Sequence, residues 1–291
     1  MNVALGSVQF GLNYGLTNSS GKVSFSEVKK IINFALTKNI QIIDTAMSYG
    51  DSEHILGRVG VSKFDLITKI SNTQNSDFHS YQNFRSQVNN SINHLKVSRL
   101  YGLLFHNALD ILTSKGERIY NHCINLKEEG LIENIGISIY DPDELEKIDL
   151  DKYKINIVQG PLNLFDDRIS SSGWLKKLNS RNIKFHARSV FLQGLLLQKK
   201  INRDMYFNQW EKHFSKYDDF VKNSGYSELT LAFNYIFSHK EVDQIIIGVQ
   251  NLEQLIQVVN IFENPININF PNFLSINDKK LINPSLWKIA S

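Results

Sequence analysis

Asp44, Tyr49, Lys69 and His106 bring together a carboxylate, a phenol, an ammonium and an imidazole. Reduction of a carbonyl needs a hydride donor, a proton donor and a group that polarises the carbonyl oxygen. These four residues could supply the last two. A phenol with its ordinary pKa of about 10 gives up its proton reluctantly, and a neighbouring ammonium stabilises the phenolate and lowers that value. Lys69 is expected to act on Tyr49 in this way. Asp44 would keep Lys69 charged and oriented, and a neutral His106 would donate a hydrogen bond to the oxygen as it turns into an alkoxide. Each residue alone has an ordinary structural reading, as a surface ion pair, a loop aromatic or a strand cap. Their placement joins them.

Asp44, Lys69 and His106 each sit in the last residues of a short apolar run. Runs of this kind recur at 3–8, 41–46, 64–70, 99–106, 132–138, 155–161, 184–190 and 244–249, separated by amphipathic segments. This is the pattern of repeated βα units and a parallel sheet. IQIID and QIIIGV are nearly continuous in apolar residues, as strands covered on both faces require. Residues 25–38 read as a helix: Ser24 stands at the cap position, and Val28, Ile31, Ile32 and Ala35 repeat at helical spacing. Asp141-Pro142-Asp143-Glu144 opens another helical segment with proline in its first turn. Eight such units with no composition break predict an α/β fold, a closed (β/α)8 TIM barrel forming a single domain over residues 1–291. Functional residues of that fold gather at the C-terminal strand ends. Asp44, Lys69 and His106 would then converge from three adjacent strands, with Tyr49 in the loop after Asp44. The stretch 199–225 breaks the rhythm and is expected to hold extra helix beside the active-site face. The tail from about 264, with Pro265, Pro271 and Pro284, would either fold over the barrel mouth or wrap the surface.

Composition excludes several functions. With 42% hydrophobic and 21% charged residues the chain is an ordinary globular one. Its net charge of +3 comes from scattered residues, without the basic stripe that a nucleic-acid backbone requires. No apolar run reaches the roughly 18 residues needed to span a bilayer, and the first residues lack a basic n-region, so a cytoplasmic protein with no membrane partner is expected. Cys123, the one cysteine, reads as a buried inert thiol on a helix face. There is no HExxH, no CxxC and no paired histidine spacing, so no metal is expected. GLTNSSGKV at 15–23 departs from a P-loop by one spacer residue and by Val23 in place of a hydroxyl. No GxGxxG follows the first strand, so a dinucleotide would need a geometry other than the Rossmann turn.

From residue 3 to about 260 the sequence resembles the aldo-keto reductase family. DTAMSYGDSEHILG at 44–57 is similar to that family's DTAxxYGxSExxLG motif. LLFH at 103–106, GLIENIGIS at 130–138, IVQGPLNLFD at 157–166 and IIIGVQNLEQL at 245–255 resemble its later βα units. RSVFLQGLLL at 188–197 resembles a bacterial subgroup, some of whose members lie in surface-sugar biosynthesis loci. The resemblance implies NADPH or NADH extended across the barrel mouth, Tyr49 as proton donor, and Asp44, Lys69 and His106 completing the tetrad. It implies that Ser138 and Gln159 bind the nicotinamide carboxamide and that Gly6 and Ser7 approach the cofactor through their backbone. It further implies that Gly248, Gln250 and Gln254 grip the adenosine end.

The chain also departs from the family pattern. Ile139 replaces the asparagine usual after Ser138, and Arg188 replaces the aromatic that stacks on the nicotinamide. The planar guanidinium could stack in its stead or serve an anionic substrate. Gly248 and Gln254 stand where basic residues often meet the 2′-phosphate, with Lys199, Lys200 and Arg203 as alternative sources of charge. A small carbonyl compound is the expected substrate, a keto-sugar or sugar nucleotide by the subgroup resemblance, and a diphosphate would find Arg168, Arg188 or the 199–203 run. Two other readings use the same residues: a non-catalytic nicotinamide-nucleotide sensor, and a lyase or isomerase forming a Schiff base on Lys69.

Overall fold

The computed structural model describes residues 1–71, 78 and 80–289. Eight parallel strands close into a barrel in sequence order: β1 Asn2–Gly6, β2 Ile42–Asp44, β3 Asp65–Ile70, β4 Leu100–Phe105, β5 Ile132–Ser138, β6 Ile157–Pro161, β7 Lys184–Arg188 and β8 Gln244–Gly248. Closure brings Gly6 of β1 opposite Gly248 of β8. Every strand lies within the run read from the sequence except β1, which begins one residue earlier.

The α-helices longer than four residues, among those described, are α1 Phe25–Thr37, α2 Ser52–Val59, α3 Tyr81–Leu95, α4 Ser114–Glu128, α5 Trp174–Ser180, α6 Glu211–Ser224, α7 Glu228–Phe237 and α8 Leu252–Glu263. In α1 the Ser24 side chain accepts a hydrogen bond from the Glu27 backbone N–H. Val28, Ile31, Ile32 and Ala35 are buried on its inner face, and each of the larger three contributes about 1.5–3 kcal/mol relative to exposure. The β5–β6 connection holds a short 3₁₀ turn, Pro142–Lys147, closed by a reciprocal cap between Asp141 and Glu144. Cys123 is fully buried on α4, and burial pushes its thiol pKa up, out of the reactive range.

Strand alternation divides the core. Outward side chains such as Ile43, Leu103, Phe185 and Ile245 pack with the helices in one cluster. Inward ones, Ala4, Ile42, Ile67, Leu104, Ile157 and Ile246, fill the barrel. His186 points inward too, because its β7 neighbours Phe185 and Ala187 belong to the outer cluster. A third cluster lies beside the loops that follow β6 and β7. In it Phe165, Leu192 and Leu195 meet Phe207, Trp210, Phe214 and Tyr217 of the 199–224 segment and Leu274, Leu281 and Ile282 of the tail. The extra helix expected there is α6. The tail neither covers the mouth nor merely wraps the surface: it closes this flanking cluster, with Ile276 N bonded to Phe165 O and Lys279 paired with Asp141. Among the described residues, no helix is long and apolar enough to cross a membrane.

Candidate active site

At the C-terminal mouth of the barrel lies a cavity of about 630 Å³. The catalytic and cofactor-binding residues expected from the sequence all line it except Lys69, which lies fully buried beneath Tyr49.

Beneath the cavity floor is an ion pair. Lys69 Nζ donates to Asp44 Oδ2 at 2.6 Å and to the Thr45 carbonyl at 2.8 Å. Gln159 Nε2 donates to the other carboxylate oxygen at 2.8 Å. The pair is almost entirely out of water, with side-chain exposures of 1% for Lys69 and 5% for Asp44. Lys69 Nζ lies 5.1 Å from the centre of the Tyr49 ring, and the His106 ring meets Tyr49 edge to face at 5.7 Å.

The local sequence explains why Tyr49 stands there. Gly50 takes a left-handed φ of 55°, and Gly11 and Gly50 pack so closely that a Cβ on Gly11 would collide with the Tyr49 carbonyl. Ser7 Oγ donates to the Asp44 carbonyl at 3.0 Å. Ser52 Oγ donates to Ser7 at 2.9–3.0 Å, and Thr45 Oγ1 donates to Ser52 Oγ at 3.2 Å. The start of α2 is thereby tied to the ends of β1 and β2. Glu53, buried, accepts from Thr68 beside Lys69 at 2.6 Å. A Cβ on Gly57 would strike the His94 carbonyl of α3, so glycine there allows the two helices to approach.

Burial, not Lys69, governs the phenol. The expectation that the ammonium would lower the Tyr49 pKa is overturned: burial and the Asp44 charge raise it, and the cation that opposes them is Arg188. The reason is geometric: the phenol lies deep in the barrel mouth, and the Lys69 ammonium is bonded to Asp44 and the Thr45 carbonyl beneath it. Burial also lowers the Lys69 pKa, against the pull of Asp44. Tyr49 therefore rests protonated, as a proton donor must. His106 is pushed down to about 4 by burial, then by Lys69 and Arg188, and is neutral at pH 7 as expected. Its Nδ1 faces Ser71 Oγ at 2.9 Å and Ser48 Oγ at 3.3 Å.

Two of the expected cofactor residues also make bonds within the protein: Gln159 Nε2 donates to Asp44, and the Ser7 hydroxyl is part of the network under Tyr49. Ile139 is no cavity residue: it packs against Gly160, while its carbonyl accepts from Arg188 Nη2 at 2.7 Å. The Arg188 guanidinium lies over the Tyr140 ring at 4.5 Å and, among the described residues, has no acidic partner. Of the other cations considered, Arg168 is half-buried between Asp166 and Asp141, Arg203 pairs with Asp218 and Lys200 pairs with Glu211. Arg168 and Arg203 are thus structural, not the solvated charges or diphosphate ligands that the sequence suggested. Tyr14, Gln193, Tyr140 and Glu228 also line the cavity and went unread. Tyr140 follows the end of β5 by two residues and could have been found by the strand-end rule. Tyr14 and Gln193 are joined across the mouth by a 2.9 Å bond between two distant loops, which no local pattern signals.

The cavity fits an extended nucleotide cofactor. Gly6 and Gly248 leave adjacent strand ends free of side chains, and a Cβ on Gly248 would collide with the Gln9 amide. Gln9 Oε1 is itself a buried acceptor on a cavity-lining residue, without a partner among the described residues, and suits a donor from a bound ligand.

The profile of the Aldo/keto reductase family matches residues 2–272. Comparison with curated proteins gives no match. Among solved structures, an aldo-keto reductase from Bacillus halodurans in its holo form superposes with a TM-score of 0.74 at 15% identity, covering 98% of this chain and 93% of that one. A glycerol dehydrogenase from Gluconobacter oxydans gives 0.69 at 22% identity, covering 91% and 87%. At such identities these two likenesses speak for the fold alone. The match over nearly the whole chain decides the family: this chain belongs to the aldo-keto reductases and is an oxidoreductase that uses a nicotinamide cofactor and acts on a small carbonyl compound.

Proposed function

We propose that the chain reduces an aldehyde or ketone to the alcohol, with Tyr49 as proton donor. The observation that carries this reading is the stack of Lys69 and Asp44 beneath a protonated, cavity-facing Tyr49, with neutral His106 beside it. NADPH or NADH, when bound, supplies the hydride to the carbonyl carbon. Ser138, Gly6, Gly248 and Gln250 on the cavity wall would hold it, with Gln9 Oε1 available to a donor.

As the carbonyl oxygen gains charge, the Tyr49 hydroxyl passes its proton to it. The phenolate left behind faces the Lys69 ammonium, which Asp44 and the Thr45 carbonyl hold in place. With the Ser71 hydroxyl, 2.9 Å from His106 Nδ1, acting as donor in this reading, the proton of the neutral ring sits on Nε2 for a hydrogen bond to the substrate oxygen. Hydride and proton together balance the reduction.

The substrate is anionic in this reading, and a keto-sugar nucleotide satisfies it. Among the described residues, Arg188 is the one cation on the cavity wall, and it lacks an acidic partner. With the Ile139 carbonyl and Ser189 Oγ holding two of its N–H groups, the rest of the fork remains for a phosphate or carboxylate.

The test is Tyr49→Phe. Among the described residues the hydroxyl has no partner that its loss would orphan, so the variant is expected to fold and to bind cofactor. Reduction of a carbonyl panel that includes nucleotide-linked 4-keto sugars should fall by about 10²–10⁴-fold. An unchanged rate removes Tyr49 from the chemistry.

A further inference from the structure

β8 lies across the barrel from β4, so the cavity that starts at Tyr49 and His106 ends on the far side. There it meets Gln250, Gln254 and Gln257 at the β8–α8 junction and Ser227 and Glu228 at the start of α7. A dinucleotide reacting at Tyr49 has this end for its adenosine half. The start of a helix is ordinarily a place for a phosphate, since its first N–H groups lack partners. In α8 two of them, on Leu252 and Gln254, are already taken, and so is the Gln250 N–H just before the helix. Gln254 N donates to Asn251 Oδ1 at 2.9 Å, Gln250 N donates to Gln254 Oε1 at 2.8 Å, and Leu252 N donates to Glu27 Oε1 of α1 at 2.8 Å. A carboxylate thus occupies the position an anion would seek. The Leu252 N–H and then Lys30 hold the Glu27 carboxyl below the usual range. Lys30 bonds the other Glu27 oxygen from a largely exposed position, 61% accessible. Among the described residues, the cavity's own carboxylates are Asp44 and Glu228, and its cation, Arg188, is bonded to the end of β5 on the catalytic side.

We infer that this end of the cavity selects NADH over NADPH, with Glu228 and the Glu27-capped start of α8 repelling a 2′-phosphate. The inference rests on the reductase reading and assigns a specificity within it. A ribose with free hydroxyls offers donors to the Glu228 carboxylate and partners to the Gln250 and Gln254 amides. A 2′-phosphate brings about −2 charge to a place lined by the Glu228 carboxylate, with Glu27 and its partner Lys30 behind it at the start of α8, and with no lining Lys or Arg among the described residues.

The experiment is a fluorescence titration of the purified chain with NADH and with NADPH, requiring no turnover. NADH is expected to bind at least about tenfold more tightly, a difference of about 1.4 kcal/mol. Raising the salt concentration should narrow the gap, because it is electrostatic. Glu228→Gln and Glu27→Gln should each bring the ratio of the two dissociation constants toward one. Gln254→Arg, which leaves Glu27 in place, should shift the ratio toward NADPH by about tenfold. Equal or tighter NADPH binding by the unaltered chain overturns the inference and leaves the reductase reading standing. So does a ratio that none of the three variants moves. Binding of neither nucleotide overturns both.

Discussion

Replacing Lys69 by methionine tests whether Asp44 and Lys69 act as a unit. The two side chains are nearly inaccessible to water and 2.6 Å apart, and each has one further partner: Gln159 for Asp44 and the Thr45 carbonyl for Lys69. Methionine keeps the length and apolar stem of lysine and removes the charge. Asp44 is then left as a buried carboxylate with one amide for company, and breaking a buried pair in this way costs about 3–5 kcal/mol. Asp44→Asn strands the Lys69 ammonium and should cost a similar amount. The double variant orphans no charge, and the amide oxygen that replaces the carboxylate can still accept from Gln159, so its loss should stay near or below about 2 kcal/mol. Two losses of at least about 3 each against one of about 2 make a coupling of at least about 4 kcal/mol. Urea unfolding followed by tryptophan fluorescence and by far-ultraviolet circular dichroism measures it, provided the two transitions coincide. A double variant whose loss equals the sum of the singles would refute the reasoning, since the two charges would then not be compensating one another.

The remaining predictions concern other parts of the barrel. His186 is fully buried inside the barrel, and neither ring nitrogen has a partner among the described residues. His186→Leu should therefore raise stability by about 1 kcal/mol at pH 7, measured as a higher urea midpoint at constant slope. The unfolded chain protonates its imidazoles near pH 6.5, whereas burial pushes His106 down to about 4 and His186 to about 3. Stability should thus fall with pH below about 6.5, by up to about 1.4 kcal/mol per unit for each histidine, and His186→Leu should flatten that slope. Gly11→Ala forces a Cβ against the Tyr49 carbonyl and should lower both stability and carbonyl reduction, visible as a reduced Tm and turnover. Arg188→Met should raise KM for an anionic carbonyl substrate by about tenfold or more while altering a neutral aldehyde's far less; equal effects on both would make Arg188 a wall of the site rather than an anion ligand.

The barrel could be read from the sequence because parallel strands are covered on both faces, so each stands out as a dense apolar run between amphipathic segments. Asp44, Lys69 and His106 could be read because the fold puts function at strand ends, and they occupy three adjacent ones. What escaped depends on distances across the chain. Glu27 caps a helix that begins 225 residues later, and nothing near Glu27 or Leu252 announces it. Arg203 looked like part of a solvated basic run, but one helix further on Asp218 neutralises it over the face of Phe214. The direction of the Tyr49 pKa was misread because residue types give the charges nearby but not how deeply the phenol is buried or how closely Asp44 holds Lys69.

The motif at 44–57 shows where the specificity of such a reading resides. Of its residues, Asp44, Ser48 and Tyr49 line the cavity. Thr45 and Ser52 join the network that reaches Ser7 and Asp44, Gly50 packs on Gly11, Glu53 holds Thr68 next to Lys69, and Gly57 lets α3 approach α2. Most of the motif therefore positions the phenol and the ion pair under it, and only a small part touches anything bound. A chain that keeps the motif keeps that geometry, whatever lies at the rim. Arg188 at the end of β7 and Glu228 at the start of α7 stand outside the motif, and under the proposals made above they are the residues that would set the substrate's charge and the choice of nicotinamide nucleotide.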